Sequence, residues 1–206
     1  MSPLPAAMRI LFATPAPPWP ARRGYQLRAA GLIAALAERH PVSVVAQRWP
    51  SQAAAVPPPG IDYDEVAISS RAAAAALVAG GWRRPLQVAL HRQGAFHRAV
   101  ARRAESWRAE VVVVVLSRLG DVLPAVAGRP VVVDLIDDLA LNMRRRAERQ
   151  PWLAPLWRWE AWRMRRWDRR LVARARRAVL VCERDRRSLV GDRPELAGRS
   201  RVVPLA

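Results

Sequence analysis

Lysine is absent from the chain. All 35 basic residues are arginine, set against 17 acidic ones, and the formal charge is +18 over 206 residues. Without lysine there is no P-loop, and no G-x-G-x-x-G run occurs either, so two common nucleotide-binding motifs are excluded. One cysteine, Cys182, permits no internal disulfide and suits a reducing cytoplasm. The three histidines, His40, His91 and His97, stand apart from the acidic clusters, so no metal site is expected. No run of about 20 apolar residues is present, and no transmembrane helix is expected. Residues 1–7 carry no basic start, and the apolar run after them is too short for a signal peptide. They read instead as a loose, disordered tail, with Met8 as an alternative start.

What is abundant is arginine, alanine, proline and tryptophan, the palette of a GC-rich coding sequence. The charge still acts physically, attracting anionic lipid, nucleotide phosphate and nucleic acid without choosing among them. No recognised nucleic-acid-binding motif accompanies it, so nucleic acid is not an expected partner. With 51% hydrophobic residues the chain reads as globular, long enough for one ordinary core and an extra helical arm.

The opening segment reads as strand, loop and helix. Arg9 to Ala13 is a short apolar run that fits a buried strand. Thr14 to Pro20 cannot continue it, because each proline fixes φ and removes a backbone donor. Gly24 then opens a helix from Tyr25, with Leu27, Ala30, Ile33, Ala34 and Ala37 among its apolar positions. Two readings stand side by side: the first βα unit of any open α/β sheet, or a helix start whose free N–H groups receive a phosphate.

Further strands are expected at 42–46 and, more weakly, 64–68, then at 111–116, 130–134, 178–182 and from Ser200. The valine-rich runs among them suit parallel strands covered on both faces. Helices are expected at 71–78, as one long element from Pro85 to about Trp107, and from Leu153 to Arg177. The alternation predicts an α/β fold, a Rossmann-like doubly wound, mainly parallel sheet in a single domain. Ligands in such sheets sit beyond the carboxyl ends of the strands.

Those ends hold the candidate residues: Arg23, Gly24 and Tyr25 after the first strand, Ser117 and Arg118 after the valine run, Asp134, Asp137 and Asp138 after the next, and Glu183 near the last helix start. For Asp137 and Asp138 the plainer expectation is helix capping, and the sharper one a carboxylate in an acceptor or sugar site. Arg118 faces a phosphate or is one surface arginine among many. Cys182 has no nearby histidine as a base and reads as a packed residue.

The helix from Leu153 to Arg177 has two unlike faces. At about 100° per residue, Trp157, Ala161, Met164, Leu171, Val172 and Ala175 form the expected core stripe. Trp159 and Trp162 fall opposite, with Arg158, Arg165, Arg166 and Arg169. That face suits an anionic membrane surface, or equally a solvated helix with tryptophan under arginine stems.

Taken in order, Arg9-Ile10-Leu11-Phe12, Thr14 to Pro18, Gly24 with Gln26-Leu27-Arg28, Pro85-Leu86-Gln87-Val88, Val133 to Asp137, Val179 to Glu183 and Arg201 to Pro204 resemble one family. The chain is similar to the N-terminal domain of family 4-like glycosyltransferases of the two-Rossmann-domain (GT-B) type, closest to bacterial sugar transferases of exopolysaccharide assembly. The resemblance implies that residues 8–206 form the acceptor-side half, with a nucleotide-sugar as donor substrate and no firmly bound cofactor. It implies a glycan or lipid-linked acceptor, and it places the Gly24 loop, Asp134, Asp137 and Glu183 around the cleft. Relatives often have a paired glycine at Arg23-Gly24, a histidine where Ser117 stands and serine in place of Cys182. Only Leu205 and Ala206 follow Pro204. The expectation is therefore half an enzyme, truncated, inactive alone or served by a separate donor-binding domain. The expected location is cytoplasmic, peripheral on the inner face of the plasma membrane. The competing reading is a non-catalytic α/β module that binds a membrane surface or polyanion.

Overall fold

The computed structural model describes residues 6–204; the expected tail therefore lies mostly outside the described residues. Among the described residues seven strands form one sheet: β1 (Ile10–Thr14), β2 (Val42–Arg48), β3 (Asp62–Ala67), β4 (Val111–Val115), β5 (Val131–Ile136), β6 (Arg177–Leu180) and β7 (Ser200–Val202). Their order is β3-β2-β1-β4-β5-β6-β7, and every pairing is parallel. All carboxyl ends therefore share one edge, as a doubly wound sheet requires.

Period-two alternation explains how an all-valine strand can be specified. Val112 and Val114 pack with Leu11, Ala13, Val133 and Leu135 on one face, under Phe96 and Val100. Val113 and Val115 pack with Ile10, Phe12, Val42 and Val44 on the other, under Ala29 and Ile33. With both faces covered, every position must be apolar, and β-branched side chains fit the pleat. Burying Phe12 or Phe96 completely contributes about 1.5–3 kcal/mol each.

The covering helices are α1 (Gly24–Ala37), α2 (Ser70–Gly80), α3 (Leu86–His91), α4 (Gly94–Ser106), α5 (Leu139–Arg149), α6 (Ala154–Arg174), α7 (Glu183–Val190) and the short α8 (Pro194–Ala197). The single long helix expected over 85–107 is two. Gln93 takes an extended backbone and its amide caps the Leu90 carbonyl, so the chain breaks before restarting at Gly94. Between β4 and β5 a 3-10 segment, Ser117–Val126, fills what the sequence left without an assigned element. Gly120 within it is pressed by α6: a Cβ there would lie 3.0 Å from the Leu171 methyls and 3.1 Å from the Trp167 ring.

Helix α6 lies across α5, where Met143, Ala140, Ala161 and Met164 pack with Val88 of α3. Trp157 is a correction to the expected core stripe. It is half-buried, its indole N–H donates to Gln150 and its ring lies under Arg146, so it packs against the end of α5 instead of in the core. The charged residues that α6 buries instead pin neighbouring segments. Glu160 accepts from the Leu86 N–H at 2.8 Å, serving the start of α3 from a distance, and pairs with Arg163 at 2.6 Å. Arg163 in turn donates to the carbonyls of Gly81 and Arg84.

Candidate functional site

Strand order reverses between β1 and β4, which opens a crevice at their carboxyl ends. Two residues at this edge hold backbone shapes that side chains disfavour: Leu116 (φ 64°) after β4 and Ile136 (φ 67°) ending β5. For β-branched Ile136 this is a true outlier, and each costs of order 1–3 kcal/mol. The strain sits directly before Ser117-Arg118 and Asp137-Asp138, and so sets where those residues project.

The β1 wall is built by Gln26. Its side chain donates to the Pro17 carbonyl at 2.7 Å and accepts from the Arg22 and Arg23 amides at 3.2 and 3.1 Å, folding the proline-rich loop onto the first turn of α1. Gly24 is exposed on that turn. Its φ lies outside the left-handed region and a Cβ would meet nothing within 4 Å, so no backbone requirement explains a glycine there.

Arg118 stands in the middle of the crevice. Burial lowers its pKa most; Tyr25 and Asp137 oppose the shift and Arg23 adds to it, so these four groups share one electrostatic neighbourhood. Its Nε is buried without a partner among the described residues. A cavity of about 400 Å³ lies on one side, lined by Arg23, Tyr25, Trp49, His91 and Arg118 among others; one of about 380 Å³ lies on the other, along α5.

His91 was not among the sequence candidates, and it is the only histidine placed at this cavity. It ends α3, and the Gln47 amide bridges it: Nε2 donates to the His91 carbonyl while Oε1 lies 2.8 Å from the ring Nδ1. Because Gln47 spends its N–H on the carbonyl, Nδ1 must carry the proton, and Nε2 keeps a lone pair. Burial, aided by Arg118, lowers the His91 pKa to about 3, so the ring is neutral at physiological pH. Trp49 stacks edge-on at 5.0 Å and anchors itself on the Pro15 carbonyl. No signal in the sequence marked it, because Gln47 and the break after His91 come together only through packing.

The other candidates separate. Asp134 is sequestered: its carboxylate meets Arg28 at 2.7 Å, both side chains 2% exposed, and burial raises its pKa while Arg28 offsets part of the rise. Asp138 caps α5 through the Leu141 amide at 3.2 Å and pairs with Arg165 at 2.9 Å, as the capping expectation had it. Asp137 stays near Arg118 and accepts from Asn142 at 2.7 Å; burial raises its pKa, which that hydrogen bond counters. Ser117 is buried, with its carbonyl accepting from Trp167. Glu183 pairs locally with Arg186 and Arg187, and chiefly the Arg186 hydrogen bond lowers its pKa. Among the described residues no group of three or more His, Cys, Asp and Glu side chains is arranged to hold a metal ion.

Beneath this edge lies Asp168 of α6, fully buried, with burial pushing its pKa up to about 8. A Ser117 hydrogen bond and Arg165 oppose the shift; Asp138 and Asp137 reinforce it. The unfolded chain releases this proton near pH 4 and the folded one near pH 8, so the group's contribution to stability falls as pH rises through that window. Asp168→Asn should therefore stabilise the fold by about 2–4 kcal/mol at pH 8 and little at pH 4.5. Urea denaturation at the two pH values checks this, and equal effects at both would contradict it.

The aromatic face of α6 is open, with Trp159 46% and Trp162 56% exposed, beside Trp82 of the turn between α2 and α3 at 67%. Arg83, Arg163 and Arg166 lie over these rings at 4.2, 4.1 and 5.0 Å. Arg158 is exposed here too. Arg165 and Arg169 are corrections: α7 packs against that side, and they turn to Asp138 and Ser188 and to the Leu189 carbonyl. No helix among the described residues is long and apolar enough to cross a membrane.

No protein-family model matches the sequence, and no curated protein matches it. Among solved structures the chain is similar to Os79 from O. sativa in complex with UDP, at 14% identity and a TM-score of 0.55, over 94% of this chain and 50% of that one. It is also similar to an alpha,alpha-trehalose-phosphate synthase (UDP-forming) from Burkholderia xenovorans in complex with glucose-6-phosphate, at 10% identity and a TM-score of 0.52, over 88% and 42%. The likeness establishes the fold alone: a Rossmann-like, all-parallel α/β sheet that matches one half-domain of a GT-B fold. The chain spans about half the length of the structures it matches.

Proposed function

We propose that the chain is the acceptor-side half-domain of a nucleotide-sugar-dependent glycosyltransferase. The observation that carries the reading is the crevice at the reversal of a GT-B-type sheet, walled by Arg23, Tyr25, His91 and Arg118. In the transfer, an acceptor hydroxyl oxygen attacks the anomeric carbon, the bond from that carbon to the diphosphate oxygen breaks, the hydroxyl proton passes to the departing diphosphate, and a nucleoside diphosphate leaves. Arg118 and Arg23 supply positive charge where the leaving group gains negative charge. Neutral His91, with its free Nε2, accepts a hydrogen bond from an acceptor hydroxyl and orients it; Gln47 and Trp49 hold the ring for that task. The UDP in one solved neighbour and the UDP-forming activity named for another favour a uridine diphosphate sugar as donor. The finer assignment, family 4-like and of exopolysaccharide assembly, rests on the Thr14–Pro18 loop with Gly24 and on the Val133–Asp137 run.

The acceptor is a glycan or lipid-linked sugar, and the enzyme meets it as a peripheral protein on the inner face of the plasma membrane. The open Trp82, Trp159 and Trp162 face, with an arginine guanidinium over each ring, supports this attachment. Replacing Trp159 and Trp162 together with serine should weaken binding to anionic vesicles at least tenfold at high salt, where arginine attraction is screened and apolar burial is not. Vesicle flotation at low and high salt is the measurement. Unchanged binding with an intact fold would make this a solvated face.

The functional reading is tested by sugar transfer. The 206 residues alone should transfer nothing from labelled nucleotide-sugars to lipid-linked or glycan acceptors, since only one wall of the cleft is theirs. Joining a donor-side half-domain of a family 4-like enzyme after Pro204 should produce transfer. Robust turnover by the purified chain alone would contradict the division of labour.

A further inference from the structure

The second cavity beside Arg118 carries chemistry that the transfer reaction does not by itself require. It measures about 380 Å³, within the range of roughly 300–1,000 Å³ typical of small-molecule sites. Helix α5 forms its floor with Leu139, Asn142 and Met143, and brings Arg145, Arg146 and Arg149 to it; α3 contributes Gln87 and the β4 end contributes Arg118. Four arginines thus line one concavity, Arg146 with its guanidinium also over the Trp157 ring. Among the described residues none of the four forms an ion pair with a carboxylate within 4.0 Å. The nearest acid acting on Arg118 is Asp137, whose carboxylate is already held by Asn142.

Two buried atoms lack partners at this cavity: Arg118 Nε and Gln87 Oε1. They ask for different things. A guanidinium N–H wants an anionic oxygen, and arginine's planar fork suits phosphate. An amide wants a group that both donates and accepts, which a sugar hydroxyl does however the amide is turned. One ligand satisfying both carries a phosphate and a hydroxylated ring.

We infer that this cavity binds the phosphate or diphosphate of a phosphorylated sugar, with Arg118, Arg145, Arg146 and Arg149 on the phosphate and Gln87 on a ring hydroxyl. Taken with the proposed transferase activity, on which this further step rests, the ligand is the acceptor. Its phosphate seats on α5 and its reacting hydroxyl faces the neighbouring cavity of His91. The shared chemistry has two sources, a free hexose phosphate and the head group of a lipid-linked sugar diphosphate.

Binding is measured without a donor, so it stands apart from turnover. Glucose 6-phosphate is titrated calorimetrically, and in a parallel arm vesicles bearing a polyprenyl diphosphate hexose are floated with the protein at high salt. Arg145→Gln with Arg149→Gln should weaken the probe that fits by at least about tenfold. The same loss of charge from α4, as Arg98→Gln with Arg102→Gln at exposed positions outside the cavity, should change it less than about twofold. Gln87→Leu should weaken glucose 6-phosphate but not inorganic pyrophosphate, which has no ring hydroxyl. A response confined to the soluble probe identifies a free sugar phosphate, and one confined to vesicles identifies the lipid-linked form; either supports the site. Equal losses in the α5 and α4 pairs would reduce the binding to the attraction of a +18 protein for any anion and overturn the inference. Retained binding with no transfer by the two-half protein would overturn the transferase reading and leave the site standing.

Discussion

Replacing Arg28 with methionine should cost about 3–5 kcal/mol of folding stability, because it strands the Asp134 carboxylate in the interior. Arg28 is buried on α1, far from water, and spans three elements. Its Nε meets Asp134 at the end of β5, and its Nη1 donates to the Val203 carbonyl at 3.0 Å beyond β7. The pair is imperfect even when intact, since Arg28 Nη2 and Asp134 Oδ1 lack partners among the described residues. Removing both charges, as Arg28→Met with Asp134→Leu, should therefore recover most of the loss. The sign with pH follows from the carboxyl. Burial already raises its pKa and Arg28 offsets part of that, so losing Arg28 raises it further. The single variant's deficit should be larger at pH 8 than at pH 5, because the folded form gives up this proton less readily than the unfolded chain. Urea midpoints for the three proteins at both pH values check this. A loss below about 1 kcal/mol would mean the pair is a solvated contact.

The second large effect concerns chemistry rather than stability. With a donor-side half-domain joined, Arg118→Ala should lower sugar transfer by roughly 10²–10³-fold, the scale of removing one fixed stabiliser of developing charge. The fold should shift by no more than about 1 kcal/mol, because no salt bridge within 4.0 Å involves Arg118 among the described residues and its Nε has no partner to lose. Arg118→Lys should recover little, since a point charge cannot replace a planar fork aimed between two cavities. Transfer rates and urea midpoints of the same preparations separate the effects. A parallel fall in both would make Arg118 a structural residue.

Much of the fold was legible in the sequence because buried parallel strands leave a strong mark. The run Val111–Val115 admits few other readings, and the strand starts expected near 9, 42, 111, 130 and 178 fall within one residue of those observed. Helix continuity was less legible. Leu86 to Ser106 has apolar positions compatible with one helix, and only the Gln93 amide closing on Leu90 shows where the chain breaks.

The site was legible in part. Arg23, Tyr25, Arg118 and Asp137 meet at the crevice because they follow adjacent strand ends, a relation that sequence order expresses. His91 and Gln47 come from separate elements and meet only through packing, so spacing along the chain carries no trace of their pairing. Asp134 and Arg28 are 106 residues apart, and nothing local distinguishes a carboxylate bound for an ion pair from one bound for a ligand. The α6 projection located Trp159 and Trp162 on an open face, yet placed Arg165 and Arg169 beside them, because a helical wheel does not know that α7 will cover one flank.

The most direct test of the central claim is transfer of a labelled sugar from a uridine diphosphate sugar to a lipid-linked or glycan acceptor, measured for three proteins: this chain, the chain joined to a donor-side half-domain, and that joined protein carrying Arg118→Ala. The expected result is transfer by the second alone. Transfer by the joined protein that is indifferent to Arg118→Ala, or its absence from a folded, nucleotide-binding joined protein across the acceptor panel, would contradict a glycosyltransferase cleft at this sheet edge.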